Sequence, residues 1–155
     1  MDLTEGGIRV PWIAHWPGQI RAAQVSQQHC MTMDWTSTLL EAAGVAPHPD
    51  YPLDGVSLLP VLLQPGFEFA RPLHWRMKHR QQRALRDGAW KYLRVDDHDY
   101  LFDLSADERE RANRAGDQPT RLATMRAQWE AWNAALPPVP DEATVSLVYS
   151  AKDMP

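Results

Sequence analysis

The stretch ALRDGAWKYLRV (residues 84–95) sets two short runs of alternating apolar and polar residues on either side of an Asp-Gly pair. Such a pair between two strand-like runs marks a hairpin, because glycine takes the positive φ of a tight turn at no steric cost. The spacing predicts residues 83–86 paired antiparallel with residues 90–94. Working outward, RPLHWRMK (71–78) and YLFDLSAD (100–107) repeat the short alternating pattern, with Asp96-Asp97 as the next turn former. Four strands in sequence, separated by turns, predict an antiparallel meander. Behind it, QPTRLATMRAQWEAWNAAL (118–136) places Leu122, Met125, Trp129 and Trp132 at spacings of three and four. That periodicity predicts a helix with one apolar face, which the meander would bury.

The region before the meander reads differently. IRVPWIAHW (8–16) is rich in β-branched and aromatic residues and lies between Gly6-Gly7 and Pro17-Gly18, which predicts a strand; Pro11 points to an edge position. MDWTSTLLEAAG (33–44) predicts a helix with Asp34 or Thr36 as N-cap, an apolar face of Leu39, Leu40 and Ala43, and a stop at Gly44. VSLLPVLLQPG (56–66) predicts a short apolar helix with Ser57 as cap and Pro60 in its first turn. The closing stretch from residue 137 to 155 is proline-rich, then weakly strand-like, and is expected as an extended tail.

Composition excludes several function classes. The chain has 155 residues, 44% of them hydrophobic and 23% charged, as expected of a globular protein. A net charge of −4, with Lys and Arg scattered among acids, lacks the footprint of a nucleic-acid surface, so no nucleic-acid partner is expected. No apolar run reaches the roughly 20 residues of a membrane-spanning helix, and the single Cys30 excludes an intrachain disulfide.

The side chains that could carry chemistry do not assemble a familiar motif. His15, His29, His48, His74, His79 and His98 show no metal-ligand spacing. His15 and His74 each precede a Trp in a predicted strand and read as half-buried, paired histidines. Cys30, in QQHCMTM, has only the adjacent His29 as a candidate base and reads as an inert thiol. Asp96, Asp97 and Asp99 lack the ligand spacing of a calcium loop and read as a solvated turn.

Five collinear segments nevertheless carry a resemblance: EGGIRVPWIAHWPGQI (5–20), TMDWTSTLLEAAG (32–44), PLDGVSLLPVL (52–62), RALRDGAWKYLR (83–94) and YLFDLSADERERAN (100–113). In this order they resemble the C-terminal portion of a type I sulfatase of the arylsulfatase family, in the alkaline-phosphatase-like superfamily. The resemblance implies an α/β fold, or α+β for the fragment by itself. Residues 1–66 would be the end of the large α/β domain with its last strand and helices. Residues 67–136 would be the small C-terminal subdomain, a four-stranded antiparallel sheet on a helix, and 137–155 the tail.

The same resemblance implies that the intact enzyme carries a formylglycine, made from a C-x-P-x-R motif, and a calcium or similar divalent cation. Cys30 is followed by Met31-Thr32-Met33-Asp34 and departs from that motif, so no catalytic residue and no metal ligand is expected in this chain. The family's catalytic lysine would fall just before Met1. The expected partners are therefore the missing N-terminal sulfatase portion and, for the intact enzyme, a sulfate ester. Glu5, Gly6, Gly7, Arg9 and His74 are expected at the rim of the substrate pocket, with Arg9 paired to a carboxylate and the two glycines required for backbone conformation. Departures from the family pattern are Glu108 in place of a proline in D-P-x-E-x-x-N, Ala89 within D-G-x-W-K, and His15 before W-P-G. The function implied is that of a sulfuric ester hydrolase fragment that is inactive alone. Alternatives are a non-catalytic module of sulfatase descent and a fragment of a related phosphatase or phosphonate hydrolase.

Overall fold

The structure is a computed structural model that describes residues 2–143; of the tail expected over 137–155, the part from 144 onward lies outside the described residues. The chain divides into two compact units, one formed by Met1–Val10 with Arg71–Pro155 and the other by Pro11–Ala70.

The first unit is built on a four-stranded antiparallel meander in the order β1-β2-β3-β4, with β1 Leu73–Arg76, β2 Arg83–Asp87, β3 Trp90–Val95 and β4 His98–Asp103. The hairpin read from ALRDGAWKYLRV is present with Asp87 opposite Trp90, and Gly88 supplies the positive φ of 56°. Asp96, with φ 52°, turns β3 into β4. Because side chains alternate across a strand, the sheet has two apolar faces. Leu85, Tyr92 and Leu101 form one core with Met125 and Trp129 of helix α4, Pro119–Ala134. Leu122 and Trp132 pack at its margin, so the apolar stripe read at spacings of three and four is the one the sheet covers. The Trp129 indole N–H donates to the Trp75 carbonyl at 2.9 Å, tying α4 to β1.

The other face carries Ala84, Leu93, Phe102 and Leu104, and it is closed by Leu3 and Ile8 of the N-terminal segment. The Leu3 N–H donates to Gln82 Oε1 at 3.0 Å, which docks this segment on the sheet. Residues Glu5–Ile8 form a single helical turn, α1. The expected strand over 8–16 is absent, and residues 9–16 take no regular structure. A strand persists only where a neighbour takes up its backbone hydrogen bonds, and among the described residues the only sheet is the four-stranded meander.

In the second unit, helix α2 spans Asp34–Ala42 and α3 spans Leu59–Leu63. Gly44, with φ 67°, ends α2, where the N–H groups of Gly44 and Val45 bond back to Glu41 and Leu40. The face of α2 that is buried is not the expected Leu39, Leu40 and Ala43 but Asp34, Ser37 and Thr38, while Leu39 is 57% exposed. These polar groups are satisfied by the loop before α3. Asp34 accepts the N–H groups of Met31 and Val56, Ser37 donates to the Gly55 carbonyl, and Thr38 accepts the Leu58 N–H at 2.9 Å. The N-cap position is Met33, without a side-chain cap, so neither Asp34 nor Thr36 caps the helix. Asp34 instead fastens two loops.

One buried group gives the first unit a pH signature. The Tyr92 hydroxyl donates to Asp99 Oδ1 at 3.0 Å, and Arg94 and Arg126 flank the same carboxylate. Burial, then the Asp99 charge and its accepted hydrogen bond, raise the Tyr92 pKa well above the usual tyrosine value. In the unfolded chain the phenol titrates at about 10. This contribution is therefore complete below about pH 10 and is lost as pH rises toward the higher folded value. Melting curves of the protein and of Tyr92→Phe should converge as pH rises above about 10, the variant lacking this loss. At neutral pH the variant is expected to be less stable by about 0.5–1.5 kcal/mol.

Candidate functional site

Arg86 and Lys91 face each other across the β2–β3 hairpin on the side that the N-terminal segment covers. Two cations directly opposite on one sheet face repel and require a shared counter-charge. Two carboxylates supply it. Glu5, the first residue of α1, places Oε1 2.9 Å from Lys91 Nζ and Oε2 3.1 Å from Arg86. Glu110, from the loop after β4, places Oε1 2.7 Å from Lys91 Nζ, and its Oε2 accepts the Glu5 N–H at 2.6 Å. Lys91 is fully buried, and the side chains of Glu5 and Glu110 are 6% and 5% exposed. Burial draws the Arg86 pKa below its usual value, and the Glu5 charge opposes that pull.

The loop that delivers Glu110 is shaped by the rest of its motif. Asp107 accepts the N–H groups of Arg111 and Ala112, and Asn113 Oδ1 accepts those of Leu101 and Ala115. Glu110 itself sits at φ 55°, the left-handed conformation that turns its carboxylate inward. E-G-G, D-G-x-W-K and D-x-x-E-x-x-N, three motifs distant in sequence, thus meet in one charge cluster. The sequence signal for it was two cations, Arg86 and Lys91, close to the turn of the predicted hairpin; the structure sets them opposite each other. What the sequence did not show was which acids answer.

Of the residues singled out from the sequence, Glu5, Gly6, Gly7 and Arg9 lie together on α1 and at its end. Arg9 pairs with Glu108 at 3.2 Å, both largely solvated, so this bridge contributes little. Neither Gly6 nor Gly7 has a positive φ, so backbone conformation does not require glycine at either. At Gly7 the reason is proximity, since a Cβ there would lie 2.0 Å from the Asp2 carbonyl oxygen. His74 is not part of this group. It lies opposite Leu85, on the α4 face of the sheet, stacked on Trp132 with ring centroids 4.9 Å apart. Burial pulls its pKa below the usual histidine value against the opposing charge of Asp87, and its Nε2 is buried without a hydrogen-bond partner. On the α4 face an open depression of about 420 Å³ is lined by Asp87, Trp90, Arg121 and Gln128, with Arg121 over the Trp90 ring.

The chemistry of an intact sulfatase does not fit the donor set here. Among the described residues no group of three or more His, Cys, Asp or Glu side chains is placed to hold a metal ion. Half-buried Cys30 stands outside any C-x-P-x-R sequence, so it does not fit as a formylglycine precursor. Among the described residues, no helix is long and apolar enough to cross a membrane.

A family model described as N-sulphoglucosamine sulphohydrolase, C-terminal, matches residues 3–131. The chain belongs to this sulfatase family. Rat N-acetylgalactosamine-6-sulfatase is 48% identical over 71 residues, which are 46% of this chain and 13% of that protein. An uncharacterized sulfatase of Schizosaccharomyces pombe is 31% identical over 147 residues, 85% of this chain and 26% of the relative. The sulfatase chain thus spans between 13% and 26% of the length of these two relatives. Among solved structures, one described as in complex with its substrate D-glucosamine-2-N,6-O-disulfate superimposes with a TM-score of 0.63 at 24% identity, covering 77% of this chain and 27% of that one. That likeness supports the fold. The family match at residues 3–131 takes in both the meander and α4, and the charge cluster fastens the E-G-G segment to the sheet.

Removing one member of a buried ion cluster leaves the others uncompensated. Lys91→Met should therefore lower stability by about 3–5 kcal/mol. Arg9→Ala should cost less than about 1 kcal/mol. Urea unfolding of the two variants beside the parent measures both.

Proposed function

We propose that this chain completes the fold of a sulfuric ester hydrolase and shapes the rim of its substrate pocket, while the reaction itself is carried by an N-terminal portion. The observation that carries this reading is the buried Glu5, Lys91, Glu110 and Arg86 cluster, in which Glu5 of the E-G-G segment is held at three points between 2.6 and 3.1 Å, by Lys91 and Arg86 of the sheet and by Glu110 of the loop after β4. A substrate rim must hold its shape to position an ester for attack, and a paired, dehydrated ion cluster has that rigidity. In the intact enzyme a formylglycine and a divalent cation would supply the nucleophile and the charge stabilisation. None of the residues described above stands in for them.

The Pro11–Ala70 unit supports a partner of this kind. Ile13, Val25, Leu39, Val45 and Tyr51 are each more than half exposed, and among the described residues of this unit the fully buried apolar side chains are Leu58 and Val61. So much open apolar surface on so small a unit marks an interaction face, and the large sulfatase domain is the partner that the family membership favours. The substrate class we propose is a sulfate ester of an amino sugar, the chemistry that the name of the rat relative and the bound substrate of the solved structure share.

The test compares the chain alone with the chain joined to an upstream-encoded portion that carries C-x-P-x-R, using 4-methylumbelliferyl sulfate and N-acetylgalactosamine 6-sulfate. The chain alone should release no sulfate, and the joined protein should release it. Sulfate release by the chain alone would overturn its non-catalytic role. A joined protein that cleaved phosphate or phosphonate monoesters and left sulfate esters intact would move the chain to the related hydrolases.

A further inference from the structure

Arg76 on β1, Arg83 on β2 and Arg94 on β3 stand opposite one another in the register of the sheet, and Asp99 on β4 closes the same row. The row lies on the α4 face. Arg76 donates to Asn133 Oδ1 at 3.1 Å and to the Pro137 carbonyl at 2.8 Å, and the Arg83 guanidinium lies over the Trp129 ring, 5.0 Å from its centroid. Arg94 reaches Asp97 at 3.3 Å and Asp99 at 3.6 Å, and Arg126 of α4 brings a fourth guanidinium to within 3.3 Å of Asp99. Like charges directly opposite each other destabilise a sheet. On the other face that cost is met from within, since Glu5 and Glu110 answer Arg86 and Lys91. Here the groups that hold Arg76 and Arg83 are neutral: an amide, a carbonyl and an indole. No carboxylate among the described residues pairs with either, the exposed Glu130 of α4 included, and Asp99 is already shared by the Tyr92 hydroxyl, Arg94 and Arg126.

Three guanidiniums on adjacent strands form a row about 10 Å long. They are oriented by protein groups at their stems and ends, and none of the four arginines is buried. A planar guanidinium binds oxyanions through paired hydrogen bonds. A single ion would meet one or two members of the row, whereas a polymer with an anionic group on successive units meets all of them. We propose that Arg76, Arg83, Arg94 and Arg126 form a docking strip for a sulfated polysaccharide chain, on the face of the sheet opposite E-G-G. The choice of a sulfated glycan among polyanions rests on the amino-sugar sulfate reading above. A net charge of −4 favours it over nucleic acid, which takes a broader cationic footprint.

Calorimetry of the 155-residue chain with a heparin octasaccharide at low ionic strength tests the strip. Arg76→Gln/Arg83→Gln keeps a hydrogen-bonding side chain at both positions and should raise Kd about ten-fold. Arg109→Gln/Arg111→Gln removes the same charge from the exposed loop after β4 and should change Kd by less than about two-fold. Arg83→Lys keeps the charge without the planar fork; its Kd should fall between those of the parent and the row variant, which preserves the test should the double variant fail to melt cooperatively. Equal weakening in the two double variants would overturn the proposal, because net charge alone would then be read. Equal affinity for the fully desulfated octasaccharide, or for a single-stranded DNA of the same charge, would also overturn it. Binding is read without turnover, so a null result here leaves the hydrolase reading standing. Row-dependent heparin binding beside a joined protein inactive on sulfate esters would sink that reading and support the strip.

Discussion

The Lys91 ammonium, enclosed by the carboxylates of Glu5 and Glu110, is the interaction on which the rest of the first unit depends. A lysine with no solvent contact is tolerable only when its charge is matched and its donors are used. Here the matching acids come from the N-terminal segment and from the loop after β4, so three remote pieces of chain must arrive together. Arg86 completes the balance as two cations against two carboxylates. The consequence reaches beyond electrostatics, because the segment that brings Glu5 also brings Leu3 and Ile8 onto the second face of the sheet.

The two faces of the meander are therefore closed by different means. On one, α4 contributes Met125 and Trp129 to an apolar core, with the Trp129 indole and Asn133 hydrogen-bonded to β1 giving direction. On the other, a short apolar patch is combined with a charge cluster, and the covering segment is one helical turn with no long apolar stripe of its own. Apolar packing tolerates small slips, whereas a set of ion pairs near 3 Å does not. The face that carries E-G-G is thus the one whose geometry is most closely specified, which suits a segment proposed to border a substrate.

The Pro11–Ala70 unit follows another rule. Its helix α2 buries Asp34, Ser37 and Thr38 against the loop before α3 and leaves Leu39 in solvent. Polar side chains bonded to backbone groups organise the loops, while Leu58 and Val61 are buried and Ile13, Val25, Leu39, Val45 and Tyr51 stay more than half exposed. An amphipathic helix with its polar side inward is expected where a larger apolar surface belongs on its other side.

Much of this protein was legible in its sequence. The hairpin at Asp87-Gly88, the turn at Asp96, the stop at Gly44 and the apolar stripe of α4 are decided within a few residues, by the φ range of glycine and by the periods of strand and helix. The ordered motifs likewise carried the sulfatase resemblance. What only the tertiary structure decided were the features that depend on remote neighbours: the missing strand at 8–16, the inward polar face of α2, the separation of His74 from E-G-G, and the acids that answer Arg86 and Lys91. The physical reason is common to all four. A turn or a helical stripe is set by local conformation, whereas a strand's partner, a helix's buried side and a buried charge's counter-ion are supplied by chain that lies far away in sequence.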